Sequence, residues 1–197
     1  MPLQKYMWAL LILPWHFSSA QPKNDSVFSA ATLTSIRLFD AAAGHDIPIR
    51  PTTRLRLFVF LSPECPISQN YTRTLNRLNQ QYAGNIEVDG IIPGKTWKAA
   101  DINAFAAKYH ISYPLWMDRS LSLAHYLQAS VTPEVILLTA DNNLIYKGAI
   151  DNWFHSLGKS RSAPTQNYLQ DAIDQTLSHA HPVIKRTTPV GCLINDF

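Results

Sequence analysis

Residues 55–61 (LRLFVFL) are a near-continuous run of large apolar side chains that stops abruptly at Ser62-Pro63-Glu64-Cys65-Pro66. A strand with one wet face alternates apolar and polar residues. An unbroken run instead reads as a strand buried on both faces, which requires a parallel or mixed sheet covered on both sides. Beyond the prolines, Ile67, Tyr71, Leu75, Leu78 and Tyr82 recur at three- and four-residue steps. This spacing predicts a helix over 67–82, closed by Gly84-Asn85. The rest of the chain continues in kind: strand 86–92, helix 99–109, a short extended piece 113–117, a short helix 121–129 and strand 135–139. An Asp141-Asn142-Asn143 turn leads to a partner strand over 144–150. Tyr168, Leu169, Ala172, Ile173 and Leu177 mark the inner face of a last helix over 165–179. Ahead of all this, 32–39 (TLTSIRLF) partly alternates and reads as a half-buried strand, and 40–53, with Gly44 and two prolines, as a hairpin or loop. The order predicts an α/β fold: a central mixed β-sheet flanked by helices on both faces.

The chain has 197 residues, room for one domain with a leader or tails. Hydrophobic residues make up 46%, enough for a core. The net charge of +3 is small, and no Lys/Arg run exceeds a dipeptide, so a nucleic-acid partner is not expected. At the start, Lys5 precedes an apolar stretch over 6–15, and Ser18 and Ala20 are small residues placed for cleavage after Ala20. This reads as a secretory signal peptide. Its apolar stretch, interrupted by Pro14, falls short of the roughly 20 residues that span a bilayer. The expected organisation is a signal peptide over 1–20, a flexible lead-in over 21–31, a domain over 32–180 and a tail over 181–197. The mature protein is expected to be periplasmic or secreted, without a membrane anchor, where disulfides persist.

Two cysteines are present, Cys65 and Cys192, and there is no Cys-x-x-Cys. Cys65 sits where a buried strand passes into a helix. There a sulfur meets unpaired backbone N–H groups and the positive end of the helix dipole, which favour thiolate over thiol. Thiolate is the nucleophile in disulfide exchange and in peroxide reduction. A free cysteine is otherwise often a small buried hydrophobe, but the flanking prolines place this one on a rigid surface turn.

The stretch from Phe58 to Ser68 (FVFLSPECPIS) resembles the active-site segment of the thioredoxin superfamily, in its redoxin branch of alkyl hydroperoxide reductase and thiol-specific antioxidant proteins. Thr132-Pro133 resembles the cis-proline segment that faces the reactive cysteine in that fold. Lys147-Gly148, and Asp118-Arg119 followed by the short helix, also fit the pattern. The resemblance spans roughly 32–180 and implies a thioredoxin-like fold and a thiol-based oxidoreductase. Cys65 would be its nucleophile, with Ser62, Pro66, Ser68, Thr132 and Pro133 in support.

The departures from the pattern are informative. The second cysteine of a Cys-x-x-Cys pair is replaced by Ser68, which excludes a simple oxidoreductase of that type. Of the peroxiredoxin Pro-x-x-x-Thr/Ser-x-x-Cys pattern, Ser62 and Cys65 are in place, but Phe58 stands where the proline belongs. Arg119 and Arg161 are the candidates for the arginine that holds a peroxidatic thiolate. Gly191-Cys192, near the C-terminus, invites a resolving role for Cys192, and whether it bonds to Cys65 stays open. The partners implied are a protein thiol or disulfide, or a small peroxide, with no cofactor. The rival reading is a non-catalytic module that binds copper or docks a partner, drawing on His179, His181 and Cys192. His179 and His181 also read simply as a polar helix end. Trp97, Trp116, Trp153, Tyr71 and Phe154 read as core and cap packing.

Overall fold

The computed structural model describes residues 27–194, so the leader and the cleavage site after Ala20 lie outside the described residues. Seven strands form one mixed sheet: β1 (Arg37–Asp40), β2 (His45–Pro48), β3 (Leu55–Phe60), β4 (Ile86–Pro93), β5 (Leu115–Asp118), β7 (Glu134–Leu138) and β8 (Leu144–Gly148). A further short strand, β6 (Val131–Thr132), lies outside it. The order across the sheet is β2-β1-β5-β4-β3-β7-β8. β3, β4 and β5 run parallel; β1 and β7, which flank them, run antiparallel to this centre, and the edge strands β2 and β8 run parallel to it again.

The apolar run of β3 is central and buried on both faces, as its composition predicts. Leu57, Val59 and Leu61 point into one cluster, and Phe58 and Phe60 into the other. The first cluster is covered by α2 (Pro66–Gln81) and α5 (Tyr168–Leu177), with Ile102 of α3 (Ala99–Lys108). The second is covered by α1 (Ala30–Ser35) and α4 (Ser122–Leu127). The helix stripe Ile67, Tyr71, Leu75 and Leu78 is buried along α2, and Pro66 opens that helix at its first turn, where the missing N–H costs nothing.

Three elements differ from the sequence reading. Residues 30–35, read as the end of the lead-in and the start of a strand, are helical: Ser29 caps the helix by accepting the Thr32 N–H, and Leu33 and Ile36, three apart, both face the core. Only 37–40 continue as strand. Residues 154–160, unassigned by pattern, form a small hairpin of β9 (Phe154–Ser156) and β10 (Lys159–Ser160). The tail, which has no periodicity, is docked. Lys147 N–H donates to Lys185 O and Thr187 N–H donates to Lys147 O, at the outer edge of β8. Further on, β11 (Cys192–Leu193) pairs antiparallel with β6. Gly148 allows the first contact: its φ is +142°, and a Cβ there would meet the Thr187 backbone.

Candidate functional site

Cys65 is the N-cap of α2, in extended conformation, at the end of a turn closed by its own N–H donating to Ser62 O at 3.1 Å. Its side chain caps nothing. Its thiol donates instead to the carbonyl of Thr132 at 3.2 Å, and the Thr132–Pro133 peptide bond is cis. Ser68, one turn into α2 and fully buried, accepts the Ser62 N–H at 3.2 Å, which ties the turn to the helix. Pro66 is exposed at the helix start.

The tail brings Cys192 to the same place. β11 sets Cys192 opposite Thr132 in register and Leu193 opposite Val131. The Thr132 hydroxyl donates to Cys192 O at 3.4 Å, and Ile194 N–H donates to Ser130 O at 3.1 Å. The two sulfur atoms lie 2.7 Å apart, both as free thiols. Cys65 is only 2% exposed and Cys192 is partly exposed, so the tail cysteine covers the helix cysteine.

The two thiols are driven apart in acidity. Burial pushes the Cys65 thiol up, but hydrogen bonds to its sulfur from the Cys192 thiol, the Ser68 and Cys192 N–H groups and the Ser68 hydroxyl outweigh burial. Its pKa therefore falls below the ordinary value. Cys192 is pushed up to about 11, by burial, by donating its proton to Cys65, and by the charge on Cys65. Of the pair, Cys65 is thus the more acidic thiol and Cys192 the proton-holding neighbour.

Both cysteines line an open cavity of about 360 Å³, with Ser62, Glu64, Thr96, Trp97, Thr132 and Leu193 on its walls. Trp97 is thereby part of the site wall, not packing alone. No arginine or lysine lines this cavity among the described residues. Arg119 stacks over the Phe39 ring at 3.4 Å, and Arg161 donates to Asn152 O at 3.0 Å. A larger cavity of about 440 Å³, between β1, β2 and Trp116, contains neither cysteine. Trp116 is engaged there, donating to Asp89 at 2.8 Å.

Tyr71 packs edge to face with both Trp153 and Phe154, which are tilted against each other. The Tyr71 hydroxyl donates to the buried Asp151 carboxylate. This pair carried no sequence signal, because 80 positions separate its members. His179 and His181 are exposed beyond α5 and do not line the cysteine cavity. Among the described residues, no group of three or more His, Cys, Asp or Glu is arranged to hold a metal ion. Nor is any helix among them long and apolar enough to cross a membrane.

No family model and no curated protein matches the chain. Solved structures do. A hypothetical protein of Sinorhizobium meliloti is similar at 24% identity with a TM-score of 0.70, over 80% of this chain and 88% of that one. A secreted Mycobacterium tuberculosis disulfide oxidoreductase, homologous to E. coli DsbE, matches at 13% identity with a TM-score of 0.54, over 77% and 99% of the two chains. A PrxQ of Xylella fastidiosa matches at 13% identity with a TM-score of 0.58, over 78% and 95%. The sheet order, the helices on both faces and the cis-proline opposite a helix-capping cysteine agree with these likenesses: the chain has the thioredoxin-like fold.

Proposed function

We propose that the protein is a thiol-disulfide oxidoreductase of an extracytoplasmic compartment, with Cys65 as nucleophile and Cys192 as resolving thiol. The observation that carries this reading is the 2.7 Å approach of the two sulfurs, with the more acidic one at the helix N-terminus. In the first step the Cys65 thiolate attacks one sulfur of a substrate disulfide. That S–S bond breaks, and the other substrate sulfur leaves as a thiolate and takes a proton from solvent. A mixed disulfide now joins Cys65 to the substrate. In the second step Cys192 gives its proton to solvent and its thiolate attacks Cys65 Sγ. The Cys65–Cys192 bond forms and the remaining substrate sulfur leaves with the electron pair. The substrate gains two electrons and the cysteine pair loses them. A dithiol reductant resets the pair, and the same steps in reverse describe oxidation of a substrate dithiol.

Ser62, Ser68, Thr132 and Pro133 act as positioning residues: they shape the turn and face the sulfur, without exchanging bonds. A peroxide substrate would leave a sulfenic acid on Cys65 that Cys192 condenses with, releasing water. Disulfide exchange is favoured because the cavity walls place no cation beside the sulfur. Copper binding is disfavoured because His179 and His181 do not line the cysteine cavity. The extracytoplasmic assignment rests on the leader, whose apolar stretch and small residues are those of an exported chain.

The test is turnover of a mixed glutathione–protein disulfide, or of insulin, by the reduced wild type and by the Cys65→Ser and Cys192→Ser variants. Cys65→Ser should abolish exchange. Cys192→Ser should form mixed disulfides that accumulate. Faster reduction of hydrogen peroxide than of either disulfide would move the assignment to a peroxidase.

A further inference from the structure

β4 is buried on both faces, yet its sequence sets two carboxylates, Glu87 and Asp89, two residues apart and therefore on one face of the sheet. Parallel pairing puts Arg56 beside Glu87 and Phe58 beside Asp89 in register. This is the face that Phe58 and Ile91 share with α1 and α4, whereas Cys65 belongs to the cluster on the other face. Two acids among core residues need matching cations, because a buried charge without a partner is costly. Arg56, 4% exposed, lies 3.4 Å from Glu87 and 3.5 Å from Asp89. One guanidinium thus serves two carboxylates. Asp89 accepts the Trp116 indole N–H at Oδ1, but its Oδ2 has no hydrogen-bond partner. Burial pushes the Asp89 carboxyl above its ordinary value, against the Trp116 hydrogen bond and the Arg56 charge.

Both acids line the cavity of about 440 Å³ between β1, β2 and Trp116. Its size is that of pockets that take small molecules. The other charged residue types on its walls are Asp40 and the exposed Arg50, together with the exposed His45. Asp40 is engaged in its own turn, where Oδ1 accepts the Ala42 and Ala43 N–H groups. Leu38, Phe58 and Trp116 supply apolar and aromatic wall.

We propose that this cavity is a binding site for a small organic cation, an ammonium ion carried on a compact apolar body. The ammonium group pairs with Glu87 and Asp89 and brings the second positive charge that Arg56 alone does not provide. The body lies against Leu38, Phe58 and Trp116. Aromatic walls beside carboxylates suit an organic cation, and the described acids are not grouped to hold a metal ion. The site is separate from the cysteine pair: it draws on the first half of β3 and β4, while Cys65 follows the end of β3. It therefore stands whether or not Cys65 exchanges disulfides.

The experiment titrates the reduced full-length protein with phenethylammonium chloride and, separately, with phenethyl alcohol, its neutral counterpart. Two indole N–H signals are followed by NMR: that of Trp116, in this cavity, and that of Trp97, in the cysteine cavity. The ammonium ion should move the Trp116 signal saturably and leave Trp97 in place. A dissociation constant on the order of millimolar is expected for a ligand of about nine heavy atoms. The alcohol should bind about tenfold more weakly, because it leaves the carboxylates without their second cation. Glu87→Gln should weaken the ammonium ion by about fivefold or more and leave the alcohol unchanged. Its side chain is 34% exposed, so the variant should fold. Asp89→Asn should act in the same sense, and if it fails to fold, Glu87→Gln decides alone. No saturable movement of the Trp116 signal, equal affinity for the ammonium ion and the alcohol, or unchanged ammonium affinity in Glu87→Gln overturns the proposal.

Discussion

Cys65 and Cys192 hold their sulfur atoms 2.7 Å apart although 127 positions separate them in the chain. Local sequence does not bring them together. A helix cap on one side and a two-residue strand on the other do, with Thr132 as the common partner: its carbonyl accepts from Cys65, and its hydroxyl donates to Cys192 O.

The first expected outcome is an intramolecular disulfide. Mild oxidation should give a Cys65–Cys192 bond, seen in non-reducing peptide maps as one cross-linked pair. Closing a loop of this length stabilises the folded chain by about 5 kcal/mol in the chain-entropy model, so the oxidised protein should unfold at a distinctly higher denaturant concentration. Free thiols, or only intermolecular bonds, after oxidation would remove the resolving role of Cys192.

The second concerns pH. Cys192 keeps its proton up to about 11 in the docked tail, against an ordinary value of 9.0. The docked form therefore binds a proton that a free tail gives up. This contribution to docking, fully present below 9, should be lost as pH rises through 9 toward 11. Cys65 works in the opposite sense: its lowered pKa favours docking above the ordinary value and loses that benefit as pH falls through the lowered one. Reduced protein should accordingly hold its tail best between the two thiol pKa values. Amide hydrogen exchange at Ile194, corrected for intrinsic base catalysis, reads this directly. Protection that keeps rising above pH 9 would contradict it.

Replacing the donor next to Cys65 should move its acidity. Cys192→Ala removes the hydrogen bond that Cys192 gives, and Ser68→Ala removes the buried hydroxyl that lowers the Cys65 pKa and accepts the Ser62 N–H. Both should raise the Cys65 pKa, followed by thiolate absorbance against pH, and Cys192→Ser should raise it less than Cys192→Ala. Ser68→Ala should also cost about 1 kcal/mol of stability through the orphaned N–H.

Gly148→Ala should undock the tail at its first attachment. The position has φ +142° and faces the Thr187 backbone, 2.9 Å from where a Cβ would be to the carbonyl carbon. Backbone strain of this kind costs on the order of 1–3 kcal/mol. The variant should oxidise its cysteine pair several-fold more slowly, by quenched-alkylation kinetics. Gly84→Ala, at φ +88° with nothing nearby, is the control: it should lose stability without slowing disulfide formation.

The exported form is expected to begin at Gln21, after removal of the leader described by Lys5, the apolar stretch and Ser18-x-Ala20. Intact mass of protein recovered from the exported fraction decides this. A mass that includes Met1–Ala20 would rule out cleavage there.

Elements with a repeating burial pattern were legible in the linear chain. The double-faced burial of 55–60, the stripe of α2, the parallel partner at 86–93 and the hairpin joining 134–138 to 144–148 all follow from periods that neighbouring residues carry. The helix start at Cys65 was legible for the same reason, since a cap is a local event. The resemblance added the facing threonine-proline segment. Elsewhere local pattern misled or was silent: 30–35 is a helix whose single turn and a half is too short to show a period, and 154–160 is a hairpin of a few residues.

The site itself was decided by tertiary structure. Cys192 reaches Cys65 only because Gly148 lets Thr187 in, Gly191 lets the tail cross Thr132, and Ile194 finds a buried socket. Each of these is a contact between residues far apart in sequence. A two-residue strand has no period to read, and a glycine reports only that space is needed, not which backbone will fill it. The proposed nucleophile is therefore written in the local sequence around residue 65. Its partner, its acidity and the covering of its cavity arise from how the folded domain receives residues 187–194.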